Sequence, residues 1–513
     1  MKKAFETVLT PQQMRGYEQA AFSRGVDPLL LMEDAARALH SRLVPLMKSS
    51  ACRRVLILCG TGNNGGDGMA LGRLLLMEGY DTLLVAVGAP ATDSAKTMRA
   101  YYDALGGKAL DCDSEAALEE IMPQAAAFAP DCVVDAMFGT GFHGGVSGFY
   151  RSVIQWINGL DARVVLAVDI SSGMNGADGT VDTDPVTGQP VCIRATHTVT
   201  LGCWKAGLFL TQVPECIGEP ILAPIALPEP APAADLRLID SGAMEWLRER
   251  PVNAHKGQAG RVLMYMGSLG MAGAAAMAAK AALRAGAGLV TVACPREIIP
   301  VVQALVPNAM CLPAEELPER IPPHDVLAAG CGLGQSDEAK QRLAALLELE
   351  KGIAVLDADA LNLLADTPMK LPERTVLTPH PGEAARLLGV SVKEVLADLA
   401  GSVKALAGRY HAVALLKGHV SLISDGQQTV IQRRGAPTLA KGGSGDALTG
   451  ILAAICADPY ACAMSEEHER LLHKTALASL WLGLAGKQAQ RTWGDRSALT
   501  GDIIDLLPAC RQQ

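Results

Sequence analysis

The sequence predicts two doubly wound α/β domains in succession. Short apolar runs repeatedly end in polar or glycine-rich loops, with helical stretches between them. Aromatic residues make up only 4% of a chain that is 49% hydrophobic, so its cores must be built from Ala, Leu, Val, Ile and Met. Such residues suit small helices packed on parallel sheets. Near the middle, residues 221–235 carry four prolines, which makes a stiff, extended linker. These observations place the domains at residues 1–228 and 236–513.

The first domain opens with two helices. Thr10-Pro11-Gln12-Gln13 is a capping box with proline at the first helical position, and Asp27-Pro28 starts a second helix. Strands are expected at 55–58, 82–87, 132–135, 163–169 and 197–201. In the second domain they are expected at 261–266, 289–292, 325–329, 354–356, 376–377 and 412–416. A hairpin follows, turning at Asp425-Gly426. The alanine-rich run 272–287 contains Lys280 and Arg284, and reads as a buried helix of a soluble core, not a membrane span.

The net charge is -9 with no Lys/Arg block, which argues against nucleic acid as a partner. The 13 cysteines form no Cys-x-x-Cys pair and lie in apolar segments. That pattern fits a reducing cytoplasm with Cys used as a small hydrophobe, and argues against a zinc or disulfide framework. The start, Met-Lys-Lys-Ala-Phe-Glu-Thr, has no continuous apolar stretch and does not read as a signal peptide.

Residues 60–68, Gly-Thr-Gly-Asn-Asn-Gly-Gly-Asp-Gly, carry the strongest signal. They follow the apolar run Arg-Val-Leu-Ile-Leu-Cys and precede a helix expected at 69–77. Glycine lets backbone approach a ligand, and a helix start favours anions. Two further strand ends carry Asp135, with the glycine-rich loop up to Gly145, and Asp169 with Ser171 and Ser172. In a parallel sheet these ends converge on one crevice. Together they offer oxygen ligands for a hard cation and carboxylates for proton transfer. A single Asp at a strand end is as readily a helix cap, and a lone loop histidine such as His143 is more often solvated than catalytic.

These three segments resemble the NAD(P)H-hydrate epimerase domain. The resemblance implies that Asn63, Asn64, Gly65, Gly66 and Asp67 hold the hydrated cofactor, together with Gly139, Thr140, Gly141, Phe142, His143, Gly144 and Gly145. It also implies a potassium ion near Asn64, Asp135 and Ser172, with Asp169 touching the substrate. The family usually has Pro where Ser171 stands. Asp169 is the expected acid/base group. A related fold serves an RNA-decapping scaffold family, so a binding-only role is the rival reading.

In the second domain the key string is Ala440-Lys-Gly-Gly-Ser-Gly-Asp-Ala-Leu-Thr-Gly450. Its glycines precede a helix expected from Ala447 and form an anion hole there, with Asp446 placed as a base. Lys417-Gly418 ends a strand as a candidate nucleotide contact. Asp357 to Asn362 and Thr378 to Glu383 end two more, and His380 between two prolines is held in a rigid turn. The Gly-Ser-Gly-Asp string resembles the ribokinase-like fold. With His255-Lys-Gly-x-x-Gly-Arg-Val, Gly330-x-Gly-Leu-Gly334 and Thr-Pro-His-Pro-Gly-Glu, it is similar to the ADP-dependent NAD(P)H-hydrate dehydratase branch. The resemblance implies that Ala274, Gly332, His380 and Asp446 face the hydrate. It implies that Lys417, Gly418, His419, Val420, Ser421 and Gly445 face the nucleotide, helped by Mg²⁺.

The whole then reads as a cytoplasmic cofactor-repair enzyme, a Rossmann-like epimerase followed by a ribokinase-like dehydratase. Its substrates are NADHX, NADPHX and ADP, with assembly into homo-oligomers implied. The alternative is a small-molecule kinase of hydroxymethylpyrimidine or sugar type, with a non-catalytic N-terminal domain.

Overall fold

The computed structural model describes residues 4–146, 148–229 and 231–512. Met1 to Lys3 of the expected non-signal start, and Pro230 of the expected linker, lie outside them. The chain divides into two compact units, Thr7–Ala234 and Asp235 onward, the latter joined by the N-terminal residues up to Glu6.

The first unit carries β1 (Phe5–Leu9, whose start belongs to the other unit), β2 (Arg54–Cys59), β3 (Asp81–Val87), β4 (Lys108–Cys112), β5 (Cys132–Ala136), β6 (Val164–Val168), β7 (His197–Leu201), β8 (Trp204–Lys205) and β9 (Glu219–Ala223). Seven of them form a sheet in the order β4-β3-β2-β5-β6-β7-β9, parallel throughout. Val8 and Leu9 pair separately with Trp204 and Lys205. Both faces of the sheet are covered. Val55, Ile57 and Cys59 enter one core cluster, and Leu56 and Leu58 the opposite one. A strand buried on both faces reads as a continuous apolar run, which is why β2 was legible. The expected linker began at Ile221. Its first residues, Ile221 to Ala223, are instead the end of β9, whose register pairs Ile221 with Val199.

Three helices position the first crevice: α1 (Pro11–Ser23), α2 (Pro28–Ser49) and α3 (Asn63–Met77). Gln13 N donates to Thr10 Oγ1 (3.3 Å) and Thr10 N to Gln13 Oε1 (2.9 Å), closing the expected capping box. Asp27 caps α2 by accepting from Leu29 N at 2.8 Å. Helix α3 starts six residues before the expected position, so the glycine-rich segment is itself helical. Gly is a poor helix former, but packing decides here. A Cβ on Gly65 would stand 1.9 Å from Gly60 O, so only glycine lets the helix pass this close to the end of β2.

The second unit carries β10 (Leu236–Ile239), β11 (Arg261–Tyr265), β12 (Leu289–Cys294), β13 (Met310–Pro313), β14 (Val326–Ala329), β15 (Ile353–Leu356), β16 (Thr375–Leu377), β17 (Val413–Leu416), β18 (Ser421–Ser424) and β19 (Thr429–Gln432). Their order is β13-β12-β11-β14-β15-β16-β17-β18-β19-β10. The sheet is parallel except at the hairpin of β18 and its two neighbours. Asp425 Oδ1 accepts from Gln427 N and Gln428 N and stabilises the hairpin turn. The alanine-rich run forms the buried helix Ala272–Arg284, packed on the helix Ser444–Ala457. No helix among the described residues is long and apolar enough to cross a membrane. Phe5 packs its ring against Trp246 (5.3 Å) and His473 (5.0 Å).

Cys192 and Cys216 form a disulfide, which corrects the expectation that every cysteine serves as a small apolar residue. The other cysteines among the described residues form no disulfide, and all but half-buried Cys311 are buried.

Candidate active sites

In the first unit the sheet order reverses between β2 and β5. Their following loops part at the C-terminal edge, and a crevice opens there. It is a cavity of about 800 Å³. Asn63, Asn64 and Asp67 reach it from α3, Gly139 to His143 from the loop after β5, and Asp169 from the end of β6. Gly65 and Gly66 are buried inside α3. Gly144 and Gly145 do not line the cavity. A Cβ at Gly145 would lie 2.7 Å from Asp182 Oδ2, which accepts from Val146 N.

Asp169 holds a left-handed backbone (φ 68°), uncommon for a residue other than glycine and found where surroundings enforce it. Its Oδ1 accepts from Thr200 Oγ1 and Leu201 N, both at 3.0 Å, and lies 2.5 Å from Lys205 Nζ. Lys205 is 1% exposed and also donates to Leu201 O. Glu18 of α1 lines the same cavity. Burial raises the carboxyls of Glu18 and Asp67 above the usual range. For Asp67, well above it, the charges of Asp169 and Glu18 add to the effect. Sequence reading missed Glu18 and Lys205. Glu18 left no signal on an exposed-looking helix. Lys205 did, as a lone charge in the run Leu-Gly-Cys-Trp-Lys-Ala-Gly-Leu-Phe-Leu.

Asn64, Asp135 and Ser172 converge on the backbone of Phe138. Asn64 Nδ2 donates to Phe138 O (3.0 Å), Phe138 N to Ser172 Oγ (2.8 Å), and Ser172 Oγ to Asp135 Oδ1 (2.6 Å). Asp135 is fully buried, and burial raises its carboxyl to about 6 despite the bonds from Ser172. Three neutral or anionic oxygen groups with a single carboxylate suit a hard cation of low charge. Ser171, where the resembling family has Pro, donates its hydroxyl to Cys216 O.

In the second unit the reversal lies between β11 and β14. The helix Ser444–Ala457 begins before the expected position, so Gly445 lies in its first turn and not ahead of it, and Asp446 lies in that first turn as expected. Lys417 Nζ, at the end of β17, donates to Asp357 Oδ1 (2.6 Å), and Thr449 Oγ1 donates to Asp357 Oδ2 (2.9 Å). A Cβ on Gly445 would lie 3.4 Å from Asp357 Oδ2 and 3.7 Å from Lys417 Nζ. The ammonium thus stands beside the N–H groups of the helix start, an anion site made of charge and dipole together. Ser444 Oγ, in the same turn, is buried and has no hydrogen-bond partner among the described residues. Burial raises the Asp446 carboxyl. A thiol bond from Cys331 opposes that, the charge of Asp357 adds to it, and Lys417 opposes it.

Lys417 keeps its charge. Burial works against it, but Asp357 and then Glu383 (3.8 Å) hold it protonated. Glu383 and Thr449 were not singled out in the sequence, and Asp357 only as a strand end. Gly418, His419 and Val420 link β17 to Ser421, the first residue of β18. Ala274 and Gly332 adjoin, since a Cβ on Gly332 would lie 3.1 Å from that of Ala274. His380 caps the helix Pro381–Leu388, its Nδ1 accepting from Gly382 N (3.0 Å) and Glu383 N (3.3 Å). That leaves Nε2 to carry the proton of a neutral ring.

Two strand-end crevices, one rich in carboxylates and one with a lysine beside a helix start, belong to a two-site α/β enzyme of cofactor and nucleotide chemistry. Residues 29–207 match the family model described as YjeF-related protein N-terminus, and residues 262–509 the one described as NAD(P)H-hydrate dehydratase. The chain is 36% identical over 527 aligned residues to the bifunctional NAD(P)H-hydrate repair enzyme Nnr of Moorella thermoacetica, covering 98% of this chain and 96% of that one. It is 35% identical to the Escherichia coli enzyme of the same description, with 89% and 84% covered. Among solved structures, the ADP/ATP-dependent NAD(P)H-hydrate dehydratase of Bacillus subtilis, co-crystallised with ATP/Mg²⁺, is 28% identical. It covers 53% of this chain and 96% of its own, with a TM-score of 0.48. The chain belongs to the family of bifunctional NAD(P)H-hydrate repair enzymes, an isomerase and a lyase in one polypeptide.

Proposed function

We propose that the cavity of the first unit interconverts the R and S forms of NADH and NADPH hydrate, and that the second unit dehydrates the S form while converting ADP to AMP and phosphate. The observation that carries the second half is the meeting of Asp446, the Gly445 helix start and Lys417 at one strand edge.

Asp446 takes the proton of the hydrate's hydroxyl, whose oxygen bonds to the terminal phosphoryl group as the bond to AMP breaks. Phosphate then leaves the ring carbon, the neighbouring carbon gives up a proton, and the nicotinamide double bond returns. Lys417 and the helix N–H groups carry the phosphate charge through both steps, so positioning and electrostatics do most of the work. With the nucleotide come its own phosphate ligands for Mg²⁺, and Asp357 and Glu383 are the buried anionic groups nearest to Lys417. Ala274, Gly332 and His380 bound the hydrate side, and Gly418 to Ser421 the nucleotide side.

In the first unit Asn63, Asn64 and Asp67 and Gly139 to His143 receive the hydrate, with Asp169 beside its ring. Asn64, Asp135 and Ser172 supply the oxygens for potassium, which would neutralise the Asp135 carboxylate beneath the loop. We place both activities in the cytoplasm in a homo-oligomer, a reading supported by the family resemblance.

The test follows the absorbance of reduced nicotinamide with mixed R and S NADHX, adding ADP or ATP. Complete recovery with ADP is the expected outcome. Recovery that stalls at the S fraction contradicts the epimerase, and a stable phosphorylated product with ATP identifies a small-molecule kinase instead.

A further inference from the structure

The cavity of the first unit holds more acid than it can neutralise. Glu18, Asp67 and Asp169 line it, and the cations that line it are Lys205 and, on the exposed face of α1, Arg15. His143 is the remaining ionisable side chain of the lining, and Cys59, buried near Asp67, stays a thiol because burial raises it far above neutrality. Lys205 is committed. Its Nζ lies 2.5 Å from Asp169 Oδ1 and 2.5 Å from Leu201 O. Asp169 also receives the Thr200 hydroxyl and the Leu201 N–H, so three donors hold it in place. Asp67, on the first turns of α3, has no such set among the described residues and lies close enough to feel the negative charge of Asp169 and of Glu18.

We propose that Asp67 is the catalytic acid of the epimerisation, and that Lys205 is a positioning residue that holds the Asp169 carboxyl group in place in the same cavity. The proposal rests on the reading of this cavity as the epimerase site. The Asp67 carboxyl gives its proton to the hydroxyl on the ring carbon. The carbon–oxygen bond breaks, the lone pair of the ring nitrogen forms a carbon–nitrogen double bond, and water is released. The charge of Asp169 stabilises the resulting cation. Water then adds to the opposite face, returns one proton to Asp67, and the nitrogen regains its lone pair. No oxidant or second substrate is required, and the acid ends as it began.

The working form of Asp67 is protonated, so epimerisation is fully present at low pH and falls as pH rises through the raised value. Lys205 lowers that value. The wild-type profile, measured as R-to-S conversion in the full chain, must therefore show an alkaline fall, and Lys205→Met must move that fall upward while reducing kcat. Asp67→Asn is isosteric and is expected to reduce kcat by about 10³-fold with KM within about threefold. An infrared difference spectrum of wild type minus Asp67→Asn, at neutral pH, must show the band of a protonated carboxyl group. A missing band, an Asp67→Asn variant with more than a tenth of the wild-type kcat, or an alkaline fall unmoved by Lys205→Met overturns the assignment while leaving the epimerase reading in place. A wild-type chain that does not interconvert R and S forms overturns the reading itself.

Discussion

Asp135 shows what burial does to one carboxylate. Its pKa rises from 3.8 to about 6 because burial disfavours the charged form. A raised value means that its stabilising contribution is complete below the unfolded value and is lost as pH climbs through about 6. A rise of that size corresponds to about 3 kcal/mol. Potassium held by Asn64, Asp135 and Ser172 would offset that loss. Exchanging potassium for tetramethylammonium is expected to lower the melting midpoint of the first unit at pH 8 and leave it unchanged at pH 5, which calorimetry at both pH values checks. Residues of this kind were legible because polar groups at the ends of apolar runs stand out. Glu18 was not, because long-range packing puts it beside the site and nothing in its local sequence demands it, and Lys205 left only the mark of a lone charge in an apolar run.

The helices show where local reading stops. The caps of α1 and α2 rest on contacts between near neighbours, so Thr10 and Asp27 announced them. The start of α3 and of the helix at Ser444 depends instead on glycines that local propensity counts against. Close approach explains them. A Cβ on Gly450 would come within 2.1 Å of Ala278 O in the facing alanine-rich helix. Gly450→Ala is expected to destabilise the second unit by about 1–3 kcal/mol through overpacking. Its denaturation midpoint should fall while that of the first unit stays, as tryptophan and circular dichroism transitions followed together would show. The same closeness keeps Gly445 and Asp446 in register with Lys417, so the variant is also expected to raise the KM for ADP.

At the scale of the molecule, the doubly wound plan was legible because strand and helix alternate and each strand end is marked. What escaped were the strands with few residues or little alternation, β1, β8, β10 and β13, and β9, its end taken for linker. Two units with separate chemistry make a further prediction. A mixture of Asp169→Ala and Asp446→Asn chains, each lacking one activity, is expected to convert mixed NADHX completely with ADP, while neither does so alone. The absorbance of reduced nicotinamide reports it, and a mixture no better than its parts would mean that the hydrate does not pass through solution. The packing of Phe5 on Trp246 and His473 has a consequence in time. Phe5 leaves the ribosome with the first unit, yet its partners follow only after tens of seconds at about 5–20 residues per second. The second unit therefore closes onto a tether that was synthesised first, and its last folding event must wait for the chain to come back to its own beginning.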